Sequence, residues 1–188
     1  MSSAEPEYWD LLDAAGIPVH RIHRRGDPMP AGCFHLVSTV CVHRGDGRVL
    51  LTRRAAGKDM ALDWELPGGA VLSGESGISG AARELREETG LTVPPGALTW
   101  VGRHRENSPG LDRYEPCLVD LYTVSLSEVA PPGRVRPDPA EVADAEWVSL
   151  TELARRLAVG ELAWPWRGRL HHLGPELFRR LGTPPSPG

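Results

Sequence analysis

The stretch from Gly69 to Leu91 constrains this chain most. It carries four carboxylates, Glu75, Glu84, Glu87 and Glu88. The last three stand at i, i+3 and i+4, a spacing that puts them on one face of a helix. Like charges so placed repel by a few tenths of a kcal/mol per pair. Two readings of the face follow. It is either solvated, with Arg83 and Glu87 as an i, i+4 pair, or it serves a hard divalent cation with oxygen ligands, Mg2+ or Mn2+. The flanks favour the cation. Asp63-Trp64-Glu65-Leu66-Pro67-Gly68-Gly69 reads as a strand ending in a loop whose carbonyls, at Gly68 or Gly69, can reach an ion. The spacing predicts a helix from about Ser76 to Thr89. Ile78, Ala81, Ala82 and Leu85 form its apolar face, and Gly90 follows its end. Glu75 stands at the helix entry, either as a cap or as a ligand to a second metal through water.

Gly69, Glu75, Arg83-Glu84-Leu85, Arg86, Glu87-Glu88, Thr89 and Gly90-Leu91 resemble the Nudix box at every fixed position. The resemblance implies an α/β fold, an α/β/α sandwich around a mixed β-sheet. It also implies cleavage of a diphosphate linkage by water, with Mg2+ or Mn2+ held by Glu84, Glu87, Glu88 and the Gly69 carbonyl. In that scheme Arg83 orients the cluster through Glu87, and Glu84 or Glu141 accepts the proton of the attacking water. Arg53, Arg54 and Lys58 are similar to basic residues that many family members hold near substrate phosphates; a solvated loop is the other reading. Trp64, beside them, is a candidate for the substrate pocket.

A chain of 188 residues fits one domain with a sizeable core. The net charge of −4 argues against a nucleic-acid partner. Cys33, Cys41 and Cys117 are too scattered for a disulfide framework or a zinc site, and Cys41, between Val40 and Val42, reads as core. No stretch is apolar and long enough to span a membrane, and Met1 to Asp10 does not read as a signal peptide. A cytoplasmic protein acting on a small-molecule diphosphate is the expectation.

The expected organisation has an N-terminal hairpin over 1–33, a hydrolase domain over 34–160, a C-terminal helix over 161–181 and a flexible tail over 182–188. In the hairpin, Tyr8 to Asp13 and Ile17 to Ile22 extend the sheet. The following bases, Arg21, His23, Arg24 and Arg25, either lie near phosphates or make a solvated edge. Trp9-Asp10-Leu11, Gly16, His23, Arg25-Gly26-Asp27, Pro30 and His35-Leu36-Val37 are similar to Nudix proteins near isopentenyl diphosphate isomerase. That similarity points to prenyl diphosphates as a second substrate class. The run from Arg53 to Gly69 holds no cysteine or histidine, a departure from the isomerases that argues against their chemistry.

Phe34 to His43 and Arg48 to Arg53 read as a hairpin, Ala97 to Arg105 and Pro116 to Leu126 as further strands, and Glu106 to Arg113 as a polar loop. Tyr114 either stacks on a base or covers the core edge. Ala145 to Leu150 is a last strand, and Ser149 to Glu152 a capping box for the helix Thr151 to Val159. Glu141 is the first candidate, and Glu146 the second, for the acid that family members carry before this strand. Trp164 and Trp166 dock a helix from about Gly168 to Arg180, line an apolar pocket or make a homodimer contact. A catalytically silent nucleotide-binding domain is the alternative from another functional class.

Overall fold

The computed structural model describes residues 6–107, 115–127 and 134–182. Tyr114 and the tail beyond Gly182 lie outside the described residues.

Strands β1 (Tyr8–Leu12) and β2 (Pro18–Arg24) form the expected N-terminal hairpin, but it does not extend the main sheet. It is a separate two-stranded sheet that meets the lead-in to the main sheet at the bridge of Leu12 with Phe34, whose reciprocal backbone bonds are 2.8 and 2.9 Å. Its inner residues Trp9, Leu11 and Leu12 are buried on the domain.

Seven strands make the main sheet: β3 (His35–His43), β4 (Arg48–Arg54), β5 (Trp64–Glu65), β6 (Gly68–Ala70), β7 (Thr99–Glu106), β8 (Cys117–Ser125) and β9 (Val142–Ser149). The order is β5-β4-β3-β8-β7, with β6 paired to β3 and β9 to β4. Strands β3 and β8 run parallel from His35 beside Cys117 to His43 beside Ser125, and the other pairs are antiparallel, so the sheet is mixed. β3 meets β4 in register only at His43 and Val49, while its earlier part, Val37 to Thr39, takes β6 instead. The sheet therefore parts near its middle, and β6 brings Gly68 and Gly69 into the opening.

Helix α1 (Gly77–Thr89) covers one face; α2 (Leu150–Val159) and α3 (Pro165–Arg180) cover the other. The period-two alternation of strands produces both cores. Val40, Val42, Leu50, Tyr122 and Val124 face Ala81 and Leu85 of α1. Cys41, Val49, Leu51 and Leu121 face Leu153, Trp166, Leu170 and Leu177. Leu85 is wholly buried on the sheet-facing side of α1, about 100° round the helix from Glu84, and such burial contributes about 1.5–3 kcal/mol. Cys41 is core, as expected.

Helix ends follow local chemistry. Ser76, not Glu75, caps α1, and Ser149 caps α2 by accepting from the Glu152 N–H. Gly90 and Gly160 close these helices in the left-handed region. Several boundaries differ from expectation, three of them for a visible reason. β9 begins at Val142 because its pairing with β4 reaches Arg54. β7 runs on to Glu106, which is a buried strand residue and not part of a polar loop. α3 starts at Pro165, since a proline costs nothing at the first helical position. No helix among the described residues is long and apolar enough to cross a membrane.

Candidate active site

The box loop turns sharply before α1, and its two glycines set how close the acids lie. Gly68 has φ +152°, outside what side-chain-bearing residues readily adopt, and its N–H donates to Glu88 Oε2 at 3.0 Å. A β-carbon on Gly69 would stand 2.6 Å from the Glu84 carboxylate. Backbone and acid are therefore in direct apposition. If Glu84 takes part in turnover, Gly69→Ala is expected to push it from its place and cut turnover at least tenfold while the fold survives, the cost of misplacing a reacting group. Comparing kinetics with the far-ultraviolet spectrum checks it.

Arg83 organises the acids. Its Nε and Nη2 donate to the two oxygens of Glu75 at 2.8 and 2.9 Å. Nη1 donates to Glu84 at 2.8 Å and Glu87 at 2.9 Å, and Nη2 also reaches the Ala70 carbonyl at 2.9 Å. The expected Arg83–Glu87 pair is one part of this fork. Glu75 thus neither caps the helix nor faces the cleft alone; it holds the guanidinium, whose hydrogen bonds lower its pKa.

Burial raises the pKa of Glu84 despite Arg83, and the nearby Glu87 adds to the rise. Burial also lifts Glu88 well above the usual carboxylate range, with Glu65 reinforcing the shift. Glu88 is 7% exposed and has no ion-pair partner among the described residues. A buried carboxylate without a counter-charge is costly. Among the described residues no three His, Cys, Asp or Glu side chains already stand in coordinating positions, and Arg83 occupies one oxygen each of Glu84 and Glu87. The donors are nonetheless all oxygen, the glycine leaves room beside Glu84, and Glu88 lacks a cation. This set fits a hard divalent ion such as Mg2+ or Mn2+.

A cleft of about 740 Å3 opens over these groups. Glu84, Glu87, Glu88 and Gly69 form one wall, and Arg54, Lys58 and Glu141 also line it. Arg54 donates to Glu65 at 2.6 Å, and Lys58 pairs with Glu141. Arg53 is a correction to the sequence reading. Alternation along β4 sends it to the opposite face, where it donates to the Leu62 carbonyl at 2.8 Å. Trp64 is a second correction: it packs against the core behind the sheet, beneath Arg156 at 4.6 Å, and does not line the cleft. Glu146 is bound to Arg156 at 2.6 Å, so Glu141 is the acid that reaches the cleft.

Sequence reasoning missed part of the lining. Trp9 and His35 line it from the N-terminal side, stacked at 4.0 Å. Burial drives the His35 pKa down to about 3, so the ring is neutral. Of the early bases, Arg25 lines the cleft while Arg21 and Arg24 are exposed outside it. Trp164, just before α3 and already a pocket candidate, lines it too, and from α3 Arg169 reaches it, ion-paired to buried Glu106 at 2.9 Å. The only signal for that pair was an acid and an arginine far apart in sequence.

The NUDIX domain profile matches residues 34–167. An uncharacterised Nudix hydrolase of Listeria monocytogenes is 32% identical over 158 residues, 82% of this chain and 87% of its own. An isopentenyl-diphosphate Delta-isomerase of Streptomyces griseus is 32% identical over 167 residues, 83% of this chain and 78% of its own, in agreement with the resemblance of the flanks. The crystal structure of DR0079 from Deinococcus radiodurans superposes with a TM-score of 0.61 at 26% identity, over 84% of this chain and 92% of that one. With the box, the mixed sheet and the cleft in place, these matches establish that the chain belongs to the Nudix hydrolase family.

Proposed function

We propose that this enzyme hydrolyses the diphosphate linkage of a nucleoside diphosphate joined to another moiety, using a divalent cation. The observation that carries the reading is the cleft itself, where the box acids and the bases Arg54 and Lys58 line one cavity. Glu84, Glu87, Glu88 and the Gly69 carbonyl would hold Mg2+ or Mn2+, which when bound neutralises charge on the phosphates and acidifies water. The residues of the chain do the remainder. Arg54 and Lys58 supply donors to the phosphate oxygens. Arg83 keeps Glu84 and Glu87 from drifting apart, because one guanidinium nitrogen serves both.

Water attacks one phosphorus, the bridging phosphorus–oxygen bond breaks, and the water proton passes to a carboxylate. Glu84 is the first candidate for that role because it lines the cleft against the Gly69 backbone, among the groups that would hold the ion. Glu141 is the other candidate, and it must first part from Lys58. The cations Arg25, Arg54, Lys58 and Arg169 suit a polyanionic nucleotide, while Trp9, Met60 and Trp164 give the cleft an apolar share as well. A prenyl diphosphate is the second reading. It is favoured by the isomerase relative and by Trp164, which is half exposed and lines the cleft.

The deciding experiment is phosphorus NMR of a mixed panel with Mg2+ or with EDTA. The panel holds nucleoside triphosphates, ADP-ribose, dinucleotide polyphosphates, and isopentenyl and geranyl diphosphates. Turnover of a nucleotide that stops in EDTA is the expected result. Turnover of prenyl diphosphates alone selects the second reading. Absence of turnover on every compound would leave a nucleotide-binding domain without catalysis.

A further inference from the structure

Asp10 lies on β1, ahead of the residues matched by the family profile. Its neighbours Trp9 and Leu11 are buried against the domain, and Asp10 alternates away from them. Its carboxylate grips the loop that leads into α1. Ser73 Oγ donates to Asp10 Oδ1 at 2.7 Å, and the Gly74 N–H donates to Asp10 Oδ2 at 2.8 Å. Two residues earlier, the Tyr8 carbonyl accepts from the Ser73 N–H at 2.7 Å.

That loop is a tight turn with little freedom once pinned. The Glu75 N–H donates to the Leu72 carbonyl at 3.0 Å, and the Leu72 N–H donates back to Glu75 Oε2 at 3.0 Å. Gly74, between them, has φ +83°. Fixing Ser73 and Gly74 therefore fixes the Glu75 carboxylate. Glu75 fixes two nitrogens of Arg83, and the third holds Glu84 and Glu87.

We propose that Asp10 is a positioning residue for the box carboxylates, acting through Ser73 and Gly74, then Glu75, then Arg83. The inference rests on the hydrolytic reading for its kinetic consequence, but the chain of contacts can be tested without it. The N-terminal hairpin then has a task beyond covering the domain: it sets the tension of the loop on which the acids depend. A carboxylate that reaches the box acids only through the loop, Glu75 and Arg83 acts by orientation, and loss of partners that orient such acids costs about tenfold in activity.

The test compares Asp10→Ala, Asp10→Asn and Asp10→Ala in a Glu75→Gln background. Asparagine can accept from Gly74 and donate to Ser73 Oγ, so it is expected to restore near wild-type behaviour. In Asp10→Ala, kcat is expected to fall about tenfold while KM stays within about twofold. With Glu75 already replaced, the same substitution is expected to change kcat by less than about twofold, since the two act in series. Independently of substrate and metal, the Arg83 Nε–H signal in a nitrogen–proton spectrum is expected to move and exchange faster with water in Asp10→Ala, and to return in Asp10→Asn. An unchanged Arg83 signal in Asp10→Ala overturns the proposal, as does a full tenfold loss in the Glu75→Gln background. If the wild-type protein turns over nothing, the hydrolytic reading fails while the Arg83 signal still decides the positioning role. Should Asp10→Ala not fold, Ser73→Ala removes one of the two contacts and is expected to shift the same signal less; no shift there overturns the proposal equally.

Discussion

Replacing Glu84 by glutamine is expected to lower Mg2+-dependent hydrolysis about 10^3-fold, within the range for loss of a positioned acid or base. Shape is retained and Arg83 keeps its bonds to Glu75 and Glu87, so the domain should fold. Stability moves the other way. Burial raises the Glu84 pKa in the folded protein, so the folded state holds that proton to higher pH than the unfolded chain does. The unfolded group titrates near ~4.3, and native stability falls as pH climbs from there through the raised folded value. Glutamine never ionises and escapes that loss. In EDTA at neutral pH the variant is therefore expected to melt at or above the wild-type temperature. Activity within a few-fold of wild type would remove Glu84 from the chemistry. A large drop in melting temperature would mean that its pairing with Arg83 outweighs its burial.

The second large effect is structural. Trp166 is 1% exposed and sits in the core cluster with Leu121, Leu153, Leu170 and Leu173. Trp166→Ala is expected to cost about 3–5 kcal/mol, the range for emptying a buried aromatic site. In a chain of this length that lowers the melting temperature by roughly 10 °C. Activity should fall as well, because α3 also carries Arg169 to the cleft and pairs it with Glu106. A shift below about 2 °C in a thermal melt followed by circular dichroism would contradict the packing.

Legibility in the sequence tracked how local the controlling physics was. The box helix, its apolar face, the glycine that ends it and the serine cap of α2 depend on residues a few positions apart, and all could be read directly. Arg53 and Arg54 show where that stops. Both are arginines at the end of a strand, and only the register of β4 against β9 decides that Arg54 enters the cleft while Arg53 turns behind the sheet. Trp64 was misplaced for the same reason, since its partners Arg156 and the α3 core come from much later in the chain. Glu106 looked like a loop acid because nothing near it in sequence announces Arg169. The contribution of Trp9 and His35 was hidden because it needs the hairpin to fold back over β3. The acids themselves were visible, whereas the cleft lining contributed by the hairpin and α3 was not.

The parallel pairing of β3 with β8 governs the order in which this protein comes into being. His35 lies beside Cys117, so roughly eighty residues must exist before the centre of the sheet can close, and distant pairings of this kind are slow. During synthesis every box carboxylate emerges before β8 does. The nascent chain therefore presents its acidic helix and the unpaired edge of β3 while it waits for a partner strand. That interval is when an unpaired edge is open to other chains and to chaperones. Refolding should accordingly recover sheet signal and catalysis in one late phase, with soluble yield falling as protein concentration rises.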